Sequence, residues 1–266
     1  MSSFSKIALL GKGLLGTTVL EQLVNNGFTV TVLSRDPAGL KGLPSGVATA
    51  QVDYSSHDSI RYIPADWSSL TTNPKARTLP INYPLIQVQE YLKKKADEGV
   101  LEHTIFSVGA FLDYVLDFPF ILDLRTHSIQ IYDDGEHPFS STSVSSVGKA
   151  VAGALKAPEE TKNRNPFIHE TILTQAKVLA LAKRYSLSGV EWTETRLDSQ
   201  EELDRAIKNL EKDPADFNLI FPLLRAALLG GKYRAAYPKV DNEIVGVSLL
   251  TDEELEQKFA AKFQDA

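Results

Sequence analysis

The first fifty residues alternate short apolar runs with polar turns marked by glycine. KIALL (6–10) is an apolar run that ends in GKGLLG (11–16). TTVLEQLVNNG (17–27) then carries apolar residues at helical spacing and closes on Asn26-Gly27, which predicts a helix and its stop. FTVTVLS (28–34) is rich in β-branched residues and predicts a second strand; GVATAQVDY (46–54) predicts a third, weaker one. Strand, glycine turn, helix and strand make a βαβ unit, and such units build parallel sheets with right-handed crossovers.

Beyond this unit, RYIP (61–64) predicts a brief strand, followed by a loop from Ala65 to about Asn82. YPLIQVQEYLKKKADEG (83–99) reads as a helix ending at Gly99. HTIFSVG (103–109) predicts a strand, and AFLDYVLDF begins another helix. FLDYVLDFPFILDL (111–124) comes nearest to a long apolar run, but aspartates interrupt it, so a buried amphipathic helix stopping near Pro119 is expected. No run approaches the roughly 20 residues of a membrane span. SIQIYDDGEHPFSSTSV (128–144) reads as two strands around an Asp-Asp-Gly-Glu turn. SSVGKAVAGAL (145–155) reads as a helix with Ser145 as N-cap. Further helices are expected over 169–186, 199–212 and 251–263, the last opening on Thr251 and Glu254 as a capping box.

Gly11, Gly13 and Gly16 fit G-x-G-x-x-G after a strand and at the head of a helix. Gly11 allows the tight turn, Gly13 lets the backbone approach a pyrophosphate, and Gly16 lets the helix pack close to the sheet. The helix N-terminus then favours phosphate charge. Dinucleotide binding is therefore expected at residues 11–16, Lys12, Leu14 and Leu15 included, with Asp53 at the end of the third strand as a further contact. No Gly-Lys-Ser/Thr closes the motif, which argues against a P-loop. The residue after the second strand chooses the cofactor: an acid holds the NAD ribose, an arginine the 2′-phosphate of NADP. Ser34 and Arg35 read as a 2′-phosphate clamp with Lys12 as a second cation; Asp36 keeps NAD open, and NADP is favoured.

Composition narrows the function classes. The 266 residues carry a net charge of −6, and Lys93-Lys94-Lys95 is the one basic cluster, on a helix face that reads as solvated; a nucleic-acid partner is not expected. The absence of cysteine removes disulfides, thiolate metal sites and cysteine nucleophiles. The N-terminal MSSFSKIALLGKG does not read as a signal peptide, and a cytoplasmic location is expected. His57, His103, His127, His137 and His169 are scattered without metal spacing. Asp133, Asp134, Glu136 and His137 read as a hydrated hairpin tip rather than a metal site. Ser68, Ser69, Thr71 and Thr72 follow a strand end, where they could contact substrate or cap the turn, and no Gly-x-Ser-x-Gly elbow supports a hydrolase.

GKGLLG, SRDP, RYIPADWSSLTTNPKA, FSVGAFLDYVL and YDDGEHPFSSTSVSSVGKAV together resemble the fungal NmrA-like, isoflavone-reductase-like proteins, atypical members of the short-chain dehydrogenase superfamily. The resemblance covers nearly the whole chain. It implies an α/β fold: a Rossmann-type parallel sheet flanked by helices, with a smaller C-terminal α+β substrate lobe. Residues 1–125 would form the NAD(P)-binding domain, and 126–266 mainly the lobe, interleaved with the sheet. It further implies NADP(H) and a small-molecule substrate, in some members within secondary metabolism. Other members look like redox-sensing regulators that bind the dinucleotide without turning it over.

Two departures from the family pattern stand out. That pattern has a helix, a strand and another helix between the third strand and the RYIP-like strand, a unit of about 35 residues. Only a short link stands here between Asp53 and Arg61. Seven or eight extended residues reach at most roughly 28 Å, with no helix to cover the sheet. About one αβα unit is therefore expected to be missing, leaving apolar surface exposed. The second departure is catalytic. By this resemblance the superfamily's Tyr-x-x-x-Lys falls at Tyr83-Pro-Leu-Ile-Gln87, where glutamine replaces the lysine. Glutamine can hydrogen-bond a ribose but brings no charge to lower the tyrosine pKa. Tyr83 is then a candidate acid rather than base, or simply the first residue of a helix. An NADP(H)-dependent reductase, a non-catalytic NAD(P) sensor and an impaired paralogue all follow as readings.

Overall fold

A computed structural model of the chain describes residues 6–34, 36–51, 61–64, 66, 71 and 73–264. Arg35, Asp53, Ser68, Ser69, Thr72 and the link over 52–60 lie outside the described residues. Strand β1 (Lys6–Leu10), helix α1 (Leu14–Asn25) and strand β2 (Thr29–Ser34) form the expected βαβ unit, and β3 (Ala48–Gln51) follows. β2 is the middle strand, parallel to β1 on one side and to β3 on the other. α1 turns Val19, Leu20 and Leu23 onto this sheet, the i, i+1, i+4 pattern of a one-faced helix.

Among the described residues β1 is paired on one edge only. It is correspondingly exposed: Ala8 and Lys6 face outward, and Leu10 is 49% accessible. A strand at the centre of a doubly wound sheet is normally covered on both faces.

The chain resumes with β4 (Arg61–Tyr62), which lies parallel to β5 (Glu102–His103); between them comes α2 (Tyr83–Asp97). Of the expected 103–109 strand only His103 is laddered, together with Glu102 before it, since Thr104 and Ser107 make isolated bridges to Arg164 and Phe167. β6 (Ala110–Phe111) leads into α3 (Leu112–Asp117), which ends two residues before Pro119 as expected. Then come β7 (Leu122–Asp123), β8 (Ser128–Tyr132), β9 (Phe139–Thr142), α4 (Val144–Lys156) and α5 (Pro158–Thr161).

β8 and β9 do not form the hairpin that the 133–136 turn suggests. β8 has both edges occupied, by β7 and, further along the chain, by β11 (Thr193–Leu197). β9 therefore joins another sheet, between β6 and β10 (Thr171–Leu173). The helix expected over 169–186 is shorter for the same reason. Its first residues pair as β10, and Thr174 then caps α6 (Gln175–Tyr185) through Lys177 N–H. The cap of α4 is Ser143 rather than Ser145, because Ser143 holds the extended backbone that an N-cap needs and its hydroxyl accepts from Ser146 N–H. α7 (Ser199–Lys212), α8 (Ile220–Leu229), α9 (Asn242–Val245) and α10 (Asp252–Gln264) complete the chain. The Thr251–Glu254 capping box forms reciprocally, as expected.

Two apolar cores result. One joins α1, β1 and β2 to Phe106, Val108, Ile168 and the inner face of α4. The other gathers α3, β8, Phe139 and helices α6, α7, α8 and α10. α4 approaches α1 at Gly148, where a Cβ would lie 3.0 Å from the Thr18 carbonyl oxygen. This contact lets a late helix cover the first βαβ unit, so the C-terminal half of the chain completes the core of the N-terminal half.

Candidate functional site

The glycine turn sits at the C-terminal end of β1, where ligands of open α/β sheets bind. Gly11 takes φ +80°, a left-handed conformation that costs other residues, and its N–H donates to Leu33 O at 3.2 Å, tying the turn to β2. A Cβ on Gly16 would stand 2.9 Å from Gly11 O, so the helix can start this close to the turn only without one. Gly13 differs from both. It is the N-cap of α1 with φ −79°, and among the described residues a Cβ there would meet nothing within 4 Å. The fold itself thus makes no demand for glycine at position 13; only something approaching from outside would. No side chain caps α1 and no acidic residue lies in its first turn, which leaves its end fit for an anion. Leu14 is exposed beside it, and Leu15 is half-buried against the first core.

The other contacts expected around the cofactor are engaged locally. Ser34 Oγ accepts from Asp36 N–H at 3.1 Å, and Asp36 Oδ1 accepts from Gly39 N–H at 3.3 Å. The acid that could hold an NAD ribose thus caps its own loop. Lys12 Nζ reaches across to the carbonyl oxygens of Lys41 and Gly42.

At the ends of β4 and of the segment leading to β6, a buried polar cluster forms; of the residues around its Asp66, sequence reasoning had singled out only Thr71. Asp66 is buried, with Oδ1 accepting from Thr71 Oγ1 at 2.9 Å and Oδ2 from Gln89 Nε2 at 2.6 Å. Gly109 N–H donates to the Tyr237 hydroxyl at 2.9 Å, and the Ser107 hydroxyl bonds it too. Burial raises the Tyr237 phenol far above its ordinary range, against the pull of those two bonds, so it stays protonated. Tyr237 N–H in turn donates to Ser140 Oγ, which is 2.9 Å from His169 Nδ1. Burial lowers the His169 pKa, so the ring is neutral at pH 7, and its tautomer sets which of Ser140 Oγ and Nδ1 donates in their hydrogen bond. Beside this cluster Phe111, Tyr114, Phe118 and Phe221 form a chain of ring contacts, 5.5, 6.1 and 6.2 Å between successive centroids. Tyr114 and Phe118 are 43% and 49% accessible, so this aromatic wall has an open face.

Solved reductases share this arrangement of strands and helices. The crystal structure of an isoflavone reductase superposes with a TM-score of 0.65 at 16% identity, over 96% of this chain and 99% of that one. The structure of AtPrR2 with NADP+ and (+)pinoresinol superposes with a TM-score of 0.67 at 15% identity, over 98% and 100% of the two chains. The chain has the isoflavone-reductase-like fold. In sequence it is similar to the oxidoreductase aprR of Aspergillus flavus, 33% identical over 154 residues, which make up 57% of this chain and 51% of the relative. The chain thus matches about half the length of that curated relative. No family model matches the chain.

Within this isoflavone-reductase-like fold, Tyr83 and Gln87 stand on the outer face of α2. Tyr83 is the first residue of the helix and 62% accessible, and Gln87 is exposed one turn on. The polar residue that α2 turns inward is Gln89, on the same face as Ile86 and Leu92. The helical period alone could have found that face, since Ile86, Gln89 and Leu92 follow at i, i+3 and i+6. Among the described residues no group of three His, Asp or Glu is placed to hold a metal ion, and no helix is long and apolar enough to cross a membrane.

Proposed function

We propose that the protein is an NADP(H)-dependent oxidoreductase acting on a small organic substrate, in the manner of secondary-metabolite reductases. The observation that carries this reading is the glycine turn. Its first and third glycines are required by the fold, while the second is required only by a close-approaching ligand, at a helix end with no competing cap. Gly11, Gly13 and the first-turn amides of α1, with Leu14 and Leu15 beside them, would hold the pyrophosphate; Ser34 and Arg35 would take the 2′-phosphate, and Asp53 would be a further contact. Bound NADPH would supply the hydride. The chain's part is to fix the nicotinamide over the buried floor made by Asp66, Gln89 and Tyr237, and to offer the open aromatic wall of Tyr114 and Phe118 to an apolar substrate. The kinship with an Aspergillus oxidoreductase and the binding of NADP+ with pinoresinol by AtPrR2 support the reading. Tyr83 is the proposed proton donor, with Gln87 able to bond a ribose hydroxyl. We assign residues 1–125 to the dinucleotide domain and 126–266 mainly to the substrate lobe, in a cytoplasmic protein.

The test is calorimetric titration of NADPH and NADH into the wild type and Arg35→Ala. NADPH is expected to bind more tightly. The variant should lose about tenfold or more of that affinity, the scale of one charge-assisted bond, and leave NADH unchanged. Absence of binding to folded wild type removes the enzyme reading.

The exposure of Tyr83 and Gln87 favours a second reading, a dinucleotide sensor without turnover. Steady NADPH oxidation with any reducible substrate would exclude it. We further infer that about one αβα unit is missing between residues 53 and 61, which the edge of β1 left unpaired among the described residues supports. Sequencing the transcript tests whether the gene itself lacks the unit: extra codons at this point would show a splicing misassignment, and none would show a real deletion.

A further inference from the structure

Lys12 occupies the variable position inside the glycine turn, and its side chain does something that the motif does not explain. Its ammonium donates to Lys41 O at 2.5 Å and to Gly42 O at 2.9 Å, carbonyls 29 and 30 residues away. These belong to the loop between β2 and β3, which has little regular structure: one turn of 3-10 helix at Pro37–Gly39, and left-handed glycines at 42 and 46. Leu40, Leu43 and Val47 anchor the loop from beneath, against the first core. From above it is tied to the turn by Lys12, whose Nζ would be in ordinary contact, 3.6 Å away, with a Cβ on Gly42.

We propose that Lys12 is a positioning residue: it staples the β2–β3 loop to the glycine turn and so sets the adenosine-side wall of the dinucleotide site. This rests on the dinucleotide-binding reading above. An ammonium has three donors, and two are committed to the loop. Few side chains can span this gap: it takes a long stem with a multi-donor head, which limits the choice to lysine or arginine. The same loop holds Asp36 in its cap on Gly39 N–H.

The test pairs hydrogen exchange with binding in Lys12→Met, which keeps the apolar stem and removes the donors. In cofactor-free protein, amides of residues 36–46 should exchange faster, with the rest of the chain and the thermal midpoint unchanged. The dissociation constants for NADPH and NADH should rise by the same factor, about tenfold. A loss confined to NADPH would mean that Lys12 is a direct 2′-phosphate ligand and would overturn the proposal. So would unchanged exchange over 36–46. If the wild type binds neither nucleotide, the dinucleotide reading fails and takes the positioning role with it, while faster exchange in the variant would still record the staple itself.

Discussion

Gly109→Ala is expected to destabilise the protein by at least about 3 kcal/mol, a fall in thermal midpoint of roughly 6–12 °C at this chain length. Gly109 holds φ +72°, which costs a residue with a Cβ about 1–2 kcal/mol. The larger part is steric. A Cβ at this position would lie 2.1 Å from the Ser140 carbonyl oxygen and 2.5 Å from its carbonyl carbon. Neither can yield, because Ser140 lies in β9, every residue of which is buried. The two segments are also sewn together: Ser141 Oγ donates to Ala110 O at 3.0 Å and Thr142 Oγ1 to Val108 O at 2.6 Å. Pushing Gly109 away would strip Tyr237 of its backbone donor and disturb the chain through Ser140 to His169. Gly99→Ala is the control. Gly99 has the same φ of +72° but open space around its Cβ, so it should cost only the left-handed penalty, about 1–2 kcal/mol. Denaturant titration of both variants separates strain from overlap; equal losses would mean that β9 gives way and that the packing argument is wrong.

Gly13→Asp should do the opposite, leaving the fold intact and abolishing dinucleotide binding. Among the described residues no atom lies within 4 Å of the added Cβ, and φ −79° suits any residue. Position 13 is the N-cap of α1 and has no capping side chain, so an aspartate there can accept a first-turn N–H and raise stability by about 0.5–1 kcal/mol. The same carboxylate would stand where the pyrophosphate is proposed to sit. Like charge at that range, together with occupation of the donors, should weaken NADPH by at least about a hundredfold, or roughly 3 kcal/mol. A calorimetric titration beside a thermal melt reads both effects. Retained affinity in a protein of unchanged or higher midpoint would separate the glycine turn from the cofactor and sink the proposed function.

Much of the fold could be read along the chain where the determinants are local. The βαβ unit over residues 6–34 follows from apolar spacing and a closing Asn-Gly, and it forms as expected. The stop of α3 before Pro119 and the reciprocal cap at Thr251 and Glu254 follow from residues within one helical turn of each other. The glycine turn belongs to the same class, because a left-handed residue and a crowded helix start are properties of six consecutive positions.

The rest was decided between distant parts of the chain. A turn between two strands looks the same whether or not they pair, and β8 and β9 were separated because β7 and β11 had taken both edges of β8. The polar floor of the site joins Asp66 to Gln89, 23 positions apart, and Gly109 to Tyr237, 128 apart. Nothing in either local sequence marks such a partner. The period of α2 marks its inward face, but that Gln89 on that face meets a buried Asp66 was decided by what lay beneath the helix. The amino-acid sequence by itself determined the glycine turn and its helix, because the left-handed residue and the crowded helix start lie within six consecutive positions. Only the tertiary structure decided what stands around that turn, because burial and hydrogen bonding there couple groups that the chain brings together only once both cores have formed.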